Sequence, residues 1–261
     1  SLLKFTPAPA GFFMKPIFYI LSYPFTILFY LIFGFFLFIF HGIQWVCFNF
    51  IGYQAHKKSV DILNLFILLC LKILGTSFEF KVPRNIPKNI PIIIVSNHQS
   101  LWDIPPIIWF LRKLHPKFVS KFELGKGIPS VSFNLRHGGS ILIKRKNAKQ
   151  ALSEMIKFSD YLNKNNRSGV IFPEGTRSRT GDTKRFHRKG LELLFKKIPQ
   201  AQVLPLTINH SWKLQRYGMF PMPIGVKIKY TLHPLLKVSD FDVDSLIDKI
   251  ELQIKSDILP K

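Results

Sequence analysis

Forty consecutive residues, from Pro16 to Ala55, contain no Asp, Glu, Lys or Arg and are rich in Phe, Ile and Leu. About 20 apolar residues suffice for a helix to span a bilayer. A secretory signal has an apolar region of only about 7–15 residues and then a small-residue cleavage site. This stretch is too long for such a signal and lacks that site. The sequence therefore predicts a hydrophobic helical membrane segment near the N-terminal end of the chain.

Basic residues lie on both sides of the uncharged stretch. Lys and Arg favour the cytoplasmic side of a membrane. Positive charge at both ends thus favours a hairpin that returns to the side where it began, with one long span as the alternative. We expect the rest of the chain, with its active site, on the cytoplasmic side. The flanking residues are Lys4, Lys15, His56, Lys57 and Lys58, and the candidate break points are Pro24, Gly34 and His41-Gly42.

The formal net charge of +22 is concentrated in the middle of the chain. Residues 81–238 hold 29 Lys and Arg against seven acidic residues, whereas residues 239–261 hold three against six. Such a field attracts nucleic acid, anionic lipid or phosphorylated small molecules, but the chain shows no nucleic-acid-binding motif. Both cysteines, Cys47 and Cys70, lie in apolar runs, and no Cys/His spacing indicates a zinc site. We expect lipid or phosphate partners, no nucleic acid and no bound metal.

From residue 76 onward, apolar strand-like runs alternate with runs of helical periodicity. This alternation is typical of an α/β domain with a single, mostly parallel sheet flanked by helices. We therefore divide the chain into an N-terminal membrane-associated helical segment, 1–75, and an α/β domain, 76–261. Strands are predicted at 77–82, 90–96, 117–121, 139–144, 169–172, 202–208 and 224–232, and helices at 60–74, 104–114, 147–164, 188–198 and 243–257.

His98 and Asp103 follow the predicted strand 90–96, at the strand end where open α/β sheets place their chemistry. On one continuous helix the two side chains would lie about 140° apart. They meet only if His98 lies in the strand-to-helix turn and Asp103 near the first helical residue. Pro105 supports this geometry because proline is tolerated in the first turn of a helix. Taken alone, the pair is better explained as a loop histidine and an N-cap aspartate.

A second polar group, Glu174-Gly175-Thr176-Arg177, follows the predicted strand 169–172. Gly175 permits close backbone approach, and the forked guanidinium of Arg177 suits a phosphate. Taken alone, the group is equally well explained as a turn with a surface ion pair.

Basic residues follow two further strands of the predicted sheet. Lys121 ends the strand 117–121, and Arg145 follows the strand 139–144. Basic side chains in glycine-containing turns can bind phosphate, although the pattern is common in loops.

The fourth group is the predicted strand 202–208, which contains Pro205. By itself, a proline in a strand indicates no more than an edge strand or a bulge.

Taken in their order along the chain, the four groups resemble the four motifs of the glycerolipid acyltransferase family. They are the His98 group, the basic group of Lys121 and Arg145, the Glu174–Arg177 group and the strand with Pro205. The resemblance covers about residues 90–210, with further similarity to about 235. Asn97-His98-Gln99-Ser100 with Asp103 is similar to the family's first motif. Residues 172–178, Phe-Pro-Glu-Gly-Thr-Arg-Ser, are similar to its third motif in the form that acts on 1-acylglycerol-3-phosphate. The second motif departs from the pattern, because Lys144 stands where the family often has Asp before its terminal Arg.

The resemblance implies a membrane-bound 1-acylglycerol-3-phosphate O-acyltransferase. Such an enzyme moves a fatty acyl group from acyl-CoA or acyl carrier protein to the free hydroxyl of lysophosphatidate, giving phosphatidate, and uses no further cofactor. Histidine suits this chemistry as a base near neutral pH, and an aspartate can hold its tautomer. The implied residues are His98 and Asp103 for catalysis, Lys121, Glu174, Gly175, Thr176 and Arg177 for the acceptor's phosphate and its pocket, and Asn97 and Arg145 as further candidates.

Three alternatives remain open from the sequence. The enzyme could act on another lysolipid, since Arg177 and Lys121 favour a phosphate without naming its carrier. Transfer could pass through a covalent intermediate on Ser100 or a cysteine. The chain could also be a basic, non-enzymatic membrane-lipid binding protein, which its charge alone would explain.

Overall fold

A computed structural model describes residues 10–82, 86–87 and 89–260, with side chains from residue 16 onward. The part of the predicted N-terminal segment before residue 10, including Lys4, lies outside the described residues.

The uncharged stretch forms one helix. Helix α1 (Ala10–Val46) continues into a π-helical turn (Cys47–Ile51), and the chain reverses at Gly52, which has a φ of 112°. The candidate break points Pro24, Gly34 and Gly42 all lie inside α1, so the favoured hairpin within the stretch is wrong. Proline costs a helix a hydrogen bond, but packing along one face of a helix supplies most of its stability. Helix α2 (Tyr53–Ile73) then packs back along α1.

Helix α1 has two different faces. Phe29, Leu37 and Phe40 are buried against the rest of the protein. The opposite face is apolar and exposed. By length and composition, the helical segment Pro16–Ile51 could cross a membrane. The most exposed large side chains of this segment are Ile17, Ile20, Leu31, Phe35, Phe38, Phe50 and Ile51.

The sheet follows the strand order β1-β7-β6-β2-β5-β3-β4, with β8 also paired to β6. Strands β6, β2, β5, β3 and β4 form consecutive parallel pairs, while β7 and β8 run antiparallel to β6. The predicted single, mostly parallel sheet is therefore confirmed. The strands are β1 (Ser77–Phe80), β2 (Ile92–Ser96), β3 (Pro116–Lys121), β4 (Ile141–Ile143), β5 (Ser168–Ile171), β6 (Gln202–Asn209), β7 (Lys227–Leu232) and β8 (Leu236–Lys237).

Helices cover both faces of this sheet, as predicted. Two short elements, α4 (Val131–His137) and β8, were not expected from the sequence, because neither is long enough to show a periodic pattern. The remaining helices are α3 (Ile104–Phe110), α5 (Ala148–Asn165), α6 (Arg188–Lys197) and α7 (Val243–Ser256).

The central strand β2 separates two apolar clusters. Ile92 and Ile94 pack in one cluster with α1, α2 and α3, whereas Ile93 and Val95 pack in the other with α5, α6 and α7. Burial on both faces explains why the strand reads as an unbroken apolar run. Because Phe29 of α1 belongs to the first cluster, the long helix packs on the same core as the strand that precedes His98. The boundary after residue 75 stays a prediction.

Gly169 of β5 and Gly190 of α6 offer a matched test of this packing. A Cβ at Gly169 would lie 2.5 Å from Leu162 Cδ1, which is fully buried, whereas a Cβ at Gly190 would meet only Met155 Cε at 3.8 Å. We expect Gly169→Ala to lower the free energy of unfolding by about 1–3 kcal/mol through overpacking. Gly190→Ala should raise it by about 0.5–1 kcal/mol through helix propensity. Denaturant unfolding measures both, and equal effects of the two substitutions would contradict the packing.

Candidate active site

The parallel strands bring the predicted site residues to one edge of the sheet. His98 follows β2, Glu174 follows the neighbouring β5, Lys121 ends β3 and Arg145 follows β4. Carboxyl ends of parallel strands share an edge, and ligands of open α/β sheets bind there. With neighbouring strands about 4.8 Å apart, Lys121 and Arg145 belong to strands about 10 and 14 Å from β2.

His98 and Asp103 form a hydrogen bond at the end of β2. Nδ1 of His98 lies 2.8 Å from Oδ2 of Asp103. His98 lies in the loop after β2, and Asp103 ends a 3₁₀ turn (Leu101–Asp103) that leads directly into α3. This is the geometry that the spacing of the two residues and Pro105 predicted. Because a carboxylate only accepts hydrogen bonds, Nδ1 carries the proton that joins the two side chains, and in the neutral imidazole this tautomer leaves the lone pair on Nε2.

The carboxylate of Asp103 is fully buried and accepts several further hydrogen bonds. Oδ2 accepts the backbone N–H groups of Gln99 at 2.8 Å and Ser100 at 2.9 Å. Oδ1 accepts the hydroxyl of Ser211, which lies just after β6. These donors fix the carboxylate in one orientation. His98 keeps 18% of its side chain exposed while Asp103 has none, so solvent reaches the imidazole and not its partner.

The loop after β5 supports His98 from the other side. The imidazole stacks on the ring of Phe172, with centroids 4.1 Å apart. Glu174 Oε1 accepts the backbone N–H of His98 at 3.2 Å, and the carbonyl of His98 accepts the N–H of Ser178 at 2.7 Å. The two motif loops therefore hold each other in place, which neither motif indicates by itself.

Glu174 is almost completely buried. Its loss of solvation raises the pKa to about 7, against the smaller lowering effects of the His98 and Lys184 backbone groups and the charge of Lys184. Its hydrogen bond to the His98 backbone places it behind the histidine, so its contribution is to shape and hold the site.

Arg177 and Lys184 place cations at the mouth of the site. Lys184 Nζ donates to Thr176 Oγ1 at 2.7 Å and to the carbonyl of Arg177 at 3.1 Å. Gly175 has a φ of 70°, and a Cβ there would lie 3.2 Å from His187. The loop turns sharply at this glycine, and Thr176 and Arg177 are exposed beyond it. Lys184 was missed from the sequence because only folding brings it back to the motif.

The other predicted residues differ in their surroundings. Lys121 is exposed at the end of β3. Arg145 is also exposed, and partial desolvation lowers the pKa of its guanidinium while Glu123 acts in the opposite direction. Asn97 is buried, and its amide exchanges hydrogen bonds of 2.8 and 2.7 Å with the backbone of Ile208. Asn97 thus extends the pairing of β2 with β6, beneath the loop that carries His98.

Two residues after β6 belong to the site although they were not predicted. Ser211 binds Asp103, and Gln215 Oε1 lies 3.2 Å from Ser100 Oγ, 3.3 Å from Leu101 N and 3.4 Å from an Arg177 guanidinium nitrogen. Both occupy a 3₁₀ turn (Ser211–Gln215) at the carboxyl end of a parallel neighbour of β2. The same strand-end rule that pointed to His98 would have found this turn.

Ser100 and Cys70 are poorly placed as nucleophiles for a covalent route. Ser100 is buried, and its hydroxyl is engaged by the Trp102 backbone N–H and by Gln215. Cys70 is buried within α2. Among the described residues, no group of three or more His, Cys, Asp or Glu side chains is placed to hold a metal ion.

Together, this fold and site define an α/β protein with a hydrogen-bonded His–Asp pair at the carboxyl edge of its sheet. The model of the acyltransferase family matches residues 77–209, about half of the chain. The chain therefore belongs to the acyltransferase family.

Named relatives and a solved structure agree with this assignment. The chain is 29% identical to a 1-acyl-sn-glycerol-3-phosphate acyltransferase of Borreliella burgdorferi, over 76% of this chain and 78% of that protein. It is also 29% identical to the protein of that name from Pseudomonas aeruginosa, over 80% of each. The crystal structure of the 1-acyl-sn-glycerophosphate (LPA) acyltransferase from Thermotoga maritima superposes with a TM-score of 0.76 at 26% identity, covering 94% of this chain and 96% of that one.

Glu174→Gln should change how stability depends on pH. The folded pKa of about 7 lies above the ordinary value of 4.5, so between these values the folded state binds more protons than the unfolded state. The free energy of unfolding contributed by Glu174 therefore falls as pH rises through this window. We expect the melting temperature of Glu174→Gln, relative to wild type, to rise from pH 4.5 to 7 and then level off.

Circular dichroism melts in detergent across this pH range measure the effect. Glu79→Gln, at an exposed carboxylate on β1, is the matched control and should show a flat difference. A flat difference for Glu174→Gln as well would contradict the burial of an uncharged carboxyl behind His98.

Proposed function

We propose that the protein transfers a fatty acyl group from an acyl thioester to the free hydroxyl of 1-acylglycerol-3-phosphate, giving phosphatidate. The observation that carries the proposal is the 2.8 Å hydrogen bond between His98 Nδ1 and Asp103 Oδ2, at the sheet edge that also carries Arg177. The named relatives, which are 1-acyl-sn-glycerol-3-phosphate acyltransferases, support the choice of acceptor.

The reaction proceeds by direct attack. His98 Nε2 takes the proton of the acceptor hydroxyl as its oxygen attacks the thioester carbonyl carbon. Asp103 holds the Nδ1–H and stabilises the imidazolium that forms. The tetrahedral intermediate then loses the thiolate as the C–S bond breaks, and the thiolate takes the proton from His98. The products are the ester and a free thiol, and no protein nucleophile is needed.

The acceptor's phosphate lies at the cationic mouth of the site. Arg177 supplies a forked donor suited to a phosphate, and Lys184, which holds Thr176 and the Arg177 carbonyl, adds a second positive charge. Lys121 and Arg145 extend the positive edge along β3 and β4. Glu174 and Gly175 shape the pocket without binding the anion directly.

The donor is acyl-CoA or acyl carrier protein, acting as co-substrate, and the reaction uses no further cofactor. Both donors present the same thioester to His98. Their polar carriers approach from the water side, where the excess of Lys and Arg over acidic residues in 81–238 favours an anionic partner.

The exposed apolar face of α1 holds the enzyme at the membrane, where its acceptor and product reside. Phe38 of α1, and Phe50 and Ile51 of the π-helical turn that continues it, each expose more than two thirds of their surface. Such exposure is costly in water and favourable in lipid. Lys57 and Lys58, which follow this segment on the side of the α/β part, support an active site on the cytoplasmic side.

His98→Ala should lower kcat for acyl transfer by about 10²–10⁴-fold, since it removes the general base. The assay combines purified protein in detergent, lysophosphatidate and acyl thioesters of several chain lengths, and measures phosphatidate. His210→Ala is the matched control, because His210 lies at the same sheet edge and its imidazole bonds the Pro260 carbonyl at 3.1 Å rather than a residue of the site. Near-normal turnover by a folded His98→Ala protein would contradict the mechanism, as would a trapped acyl-enzyme formed from labelled donor.

Arg177→Ala should raise the KM for lysophosphatidate by about 10–100-fold, the effect of losing a charge-assisted hydrogen bond to phosphate. Arg177→Lys should fall between, because an ammonium keeps the charge and loses the fork. Arg179→Ala removes an exposed cation two residues away and should change KM little. Equal effects of the two alanine substitutions would show that Arg177 contributes only to the general positive charge of the site. Acylation of another lysolipid in place of lysophosphatidate would show that the proposed acceptor is wrong.

A further inference from the structure

A short apolar loop projects beside the active site on the side of α1. It comprises residues 216–221 and follows the 3₁₀ turn that carries Ser211 and Gln215. Tyr217, Met219 and Phe220 each expose 46% of their surface. Three large apolar side chains exposed in one loop form a patch that a stable fold does not require.

Side chains of α1 clamp this loop through its backbone. Tyr30 Oη donates to the carbonyl of Met219 at 2.7 Å. The backbone N–H of Met222, just after the loop, donates to Thr26 Oγ1 at 2.9 Å. Thr26 is fully buried. The loop therefore keeps a fixed position relative to the helix.

The loop's aromatic rings continue the exposed surface of α1. The Tyr19 and Tyr217 rings pack edge-to-face with centroids 5.0 Å apart, and the Tyr23 and Phe220 rings do so at 5.4 Å. Tyrosine is enriched where a protein meets the polar boundary of a bilayer. The apolar face of α1 thus extends without a break onto the α/β part of the protein.

The surroundings of the loop carry positive charge. The exposed Arg216 immediately precedes Tyr217, and Lys213 lies one helical turn earlier in the 3₁₀ turn. Each Lys or Arg near an anionic membrane surface is attracted to it. Apolar tips with cations at their base match a lipid interface, whereas the surface of a second copy of this strongly cationic chain would repel them.

We propose that the 216–221 loop inserts into the lipid interface beside α1, so that the active site is held at the membrane by two contacts. The inference rests on the proposed membrane location of α1 and adds an element of the α/β part to it.

Gln215 connects this membrane contact to the site. Its Nε2 donates to Met219 Sδ at 2.9 Å, while its Oε1 accepts from the Ser100 and Leu101 groups of the catalytic loop and from Arg177. A loop seated in the interface therefore holds Gln215, and with it the guanidinium, at the depth of lipid phosphates. A lysolipid can then present its phosphate to Arg177 while its acyl chain stays in the bilayer.

Spin-label accessibility tests the insertion without any need for activity. Phe220→Cys and Tyr217→Cys, each in a Cys47→Ala/Cys70→Ala protein, are labelled and reconstituted into vesicles of phosphatidylcholine and phosphatidylglycerol. We expect both labels to be more accessible to oxygen than to a water-soluble nickel complex. Phe38→Cys on α1 is the lipid control, and Leu252→Cys on α7, exposed on the opposite side of the sheet, is the aqueous control.

Labels at 217 and 220 that behave like the label at 252 would overturn the proposal. So would dipolar broadening between the labels, which would show that a second copy of the chain covers the loop. If the label at 38 is in lipid and those at 217 and 220 are not, the membrane location of α1 stands and only the loop's insertion fails.

Activity provides a second readout. Phe220→Asp should lower kcat/KM for lysophosphatidate in vesicles about tenfold relative to kcat/KM for a short-chain, monomeric lysophosphatidate, because it removes the burial of one large apolar side chain. Leu252→Asp should leave the ratio of the two values unchanged. An unchanged ratio for Phe220→Asp would overturn the proposal. If the wild-type protein acylates neither substrate, the proposed function is contradicted and the label result alone decides the insertion.

Discussion

The buried carboxylate of Asp103 is the interaction on which the site depends. It receives hydrogen bonds from the His98 imidazole, two backbone N–H groups of the same loop and the hydroxyl of Ser211. A buried carboxylate without such donors would be strongly destabilising, so the loop cannot relax without losing them together. The need to satisfy one anion thus fixes the imidazole and joins the ends of β2 and β6.

The parallel sheet brings the loops of neighbouring strands together around His98 and Asp103. Strand β2 lies between β6 and β5, so the loops after both neighbours meet at His98. One supplies Ser211 and Gln215, and the other supplies Glu174 behind the histidine and Arg177 beside Gln215. The positive charge concentrated in the middle of the chain therefore lies at the same sheet edge as the hydrogen-bonded pair of His98 and Asp103.

Helix α1 links this edge to the membrane in the proposed function. Phe29 packs edge-to-face against Trp102, the residue that directly precedes Asp103, with ring centroids 5.3 Å apart. The other side of the same helix exposes a continuous apolar surface. One element therefore supports the catalytic loop and provides the lipid contact, which keeps the chemistry close to the surface where a lysolipid and its product reside.

The sequence by itself determined the strands and the relation of His98 to Asp103, because buried apolar runs and a five-residue separation before Pro105 are local constraints. It also predicted the strand-end position of Arg177. Only the tertiary structure decided that the uncharged stretch forms one helix, because packing on the core outweighs the break points Pro24 and Gly34. Tertiary contacts likewise placed Ser211 on Asp103, engaged Asn97 with Ile208 and buried Glu174. Each of these joins residues about 75 or more positions apart in the chain, a separation at which local pattern carries no information.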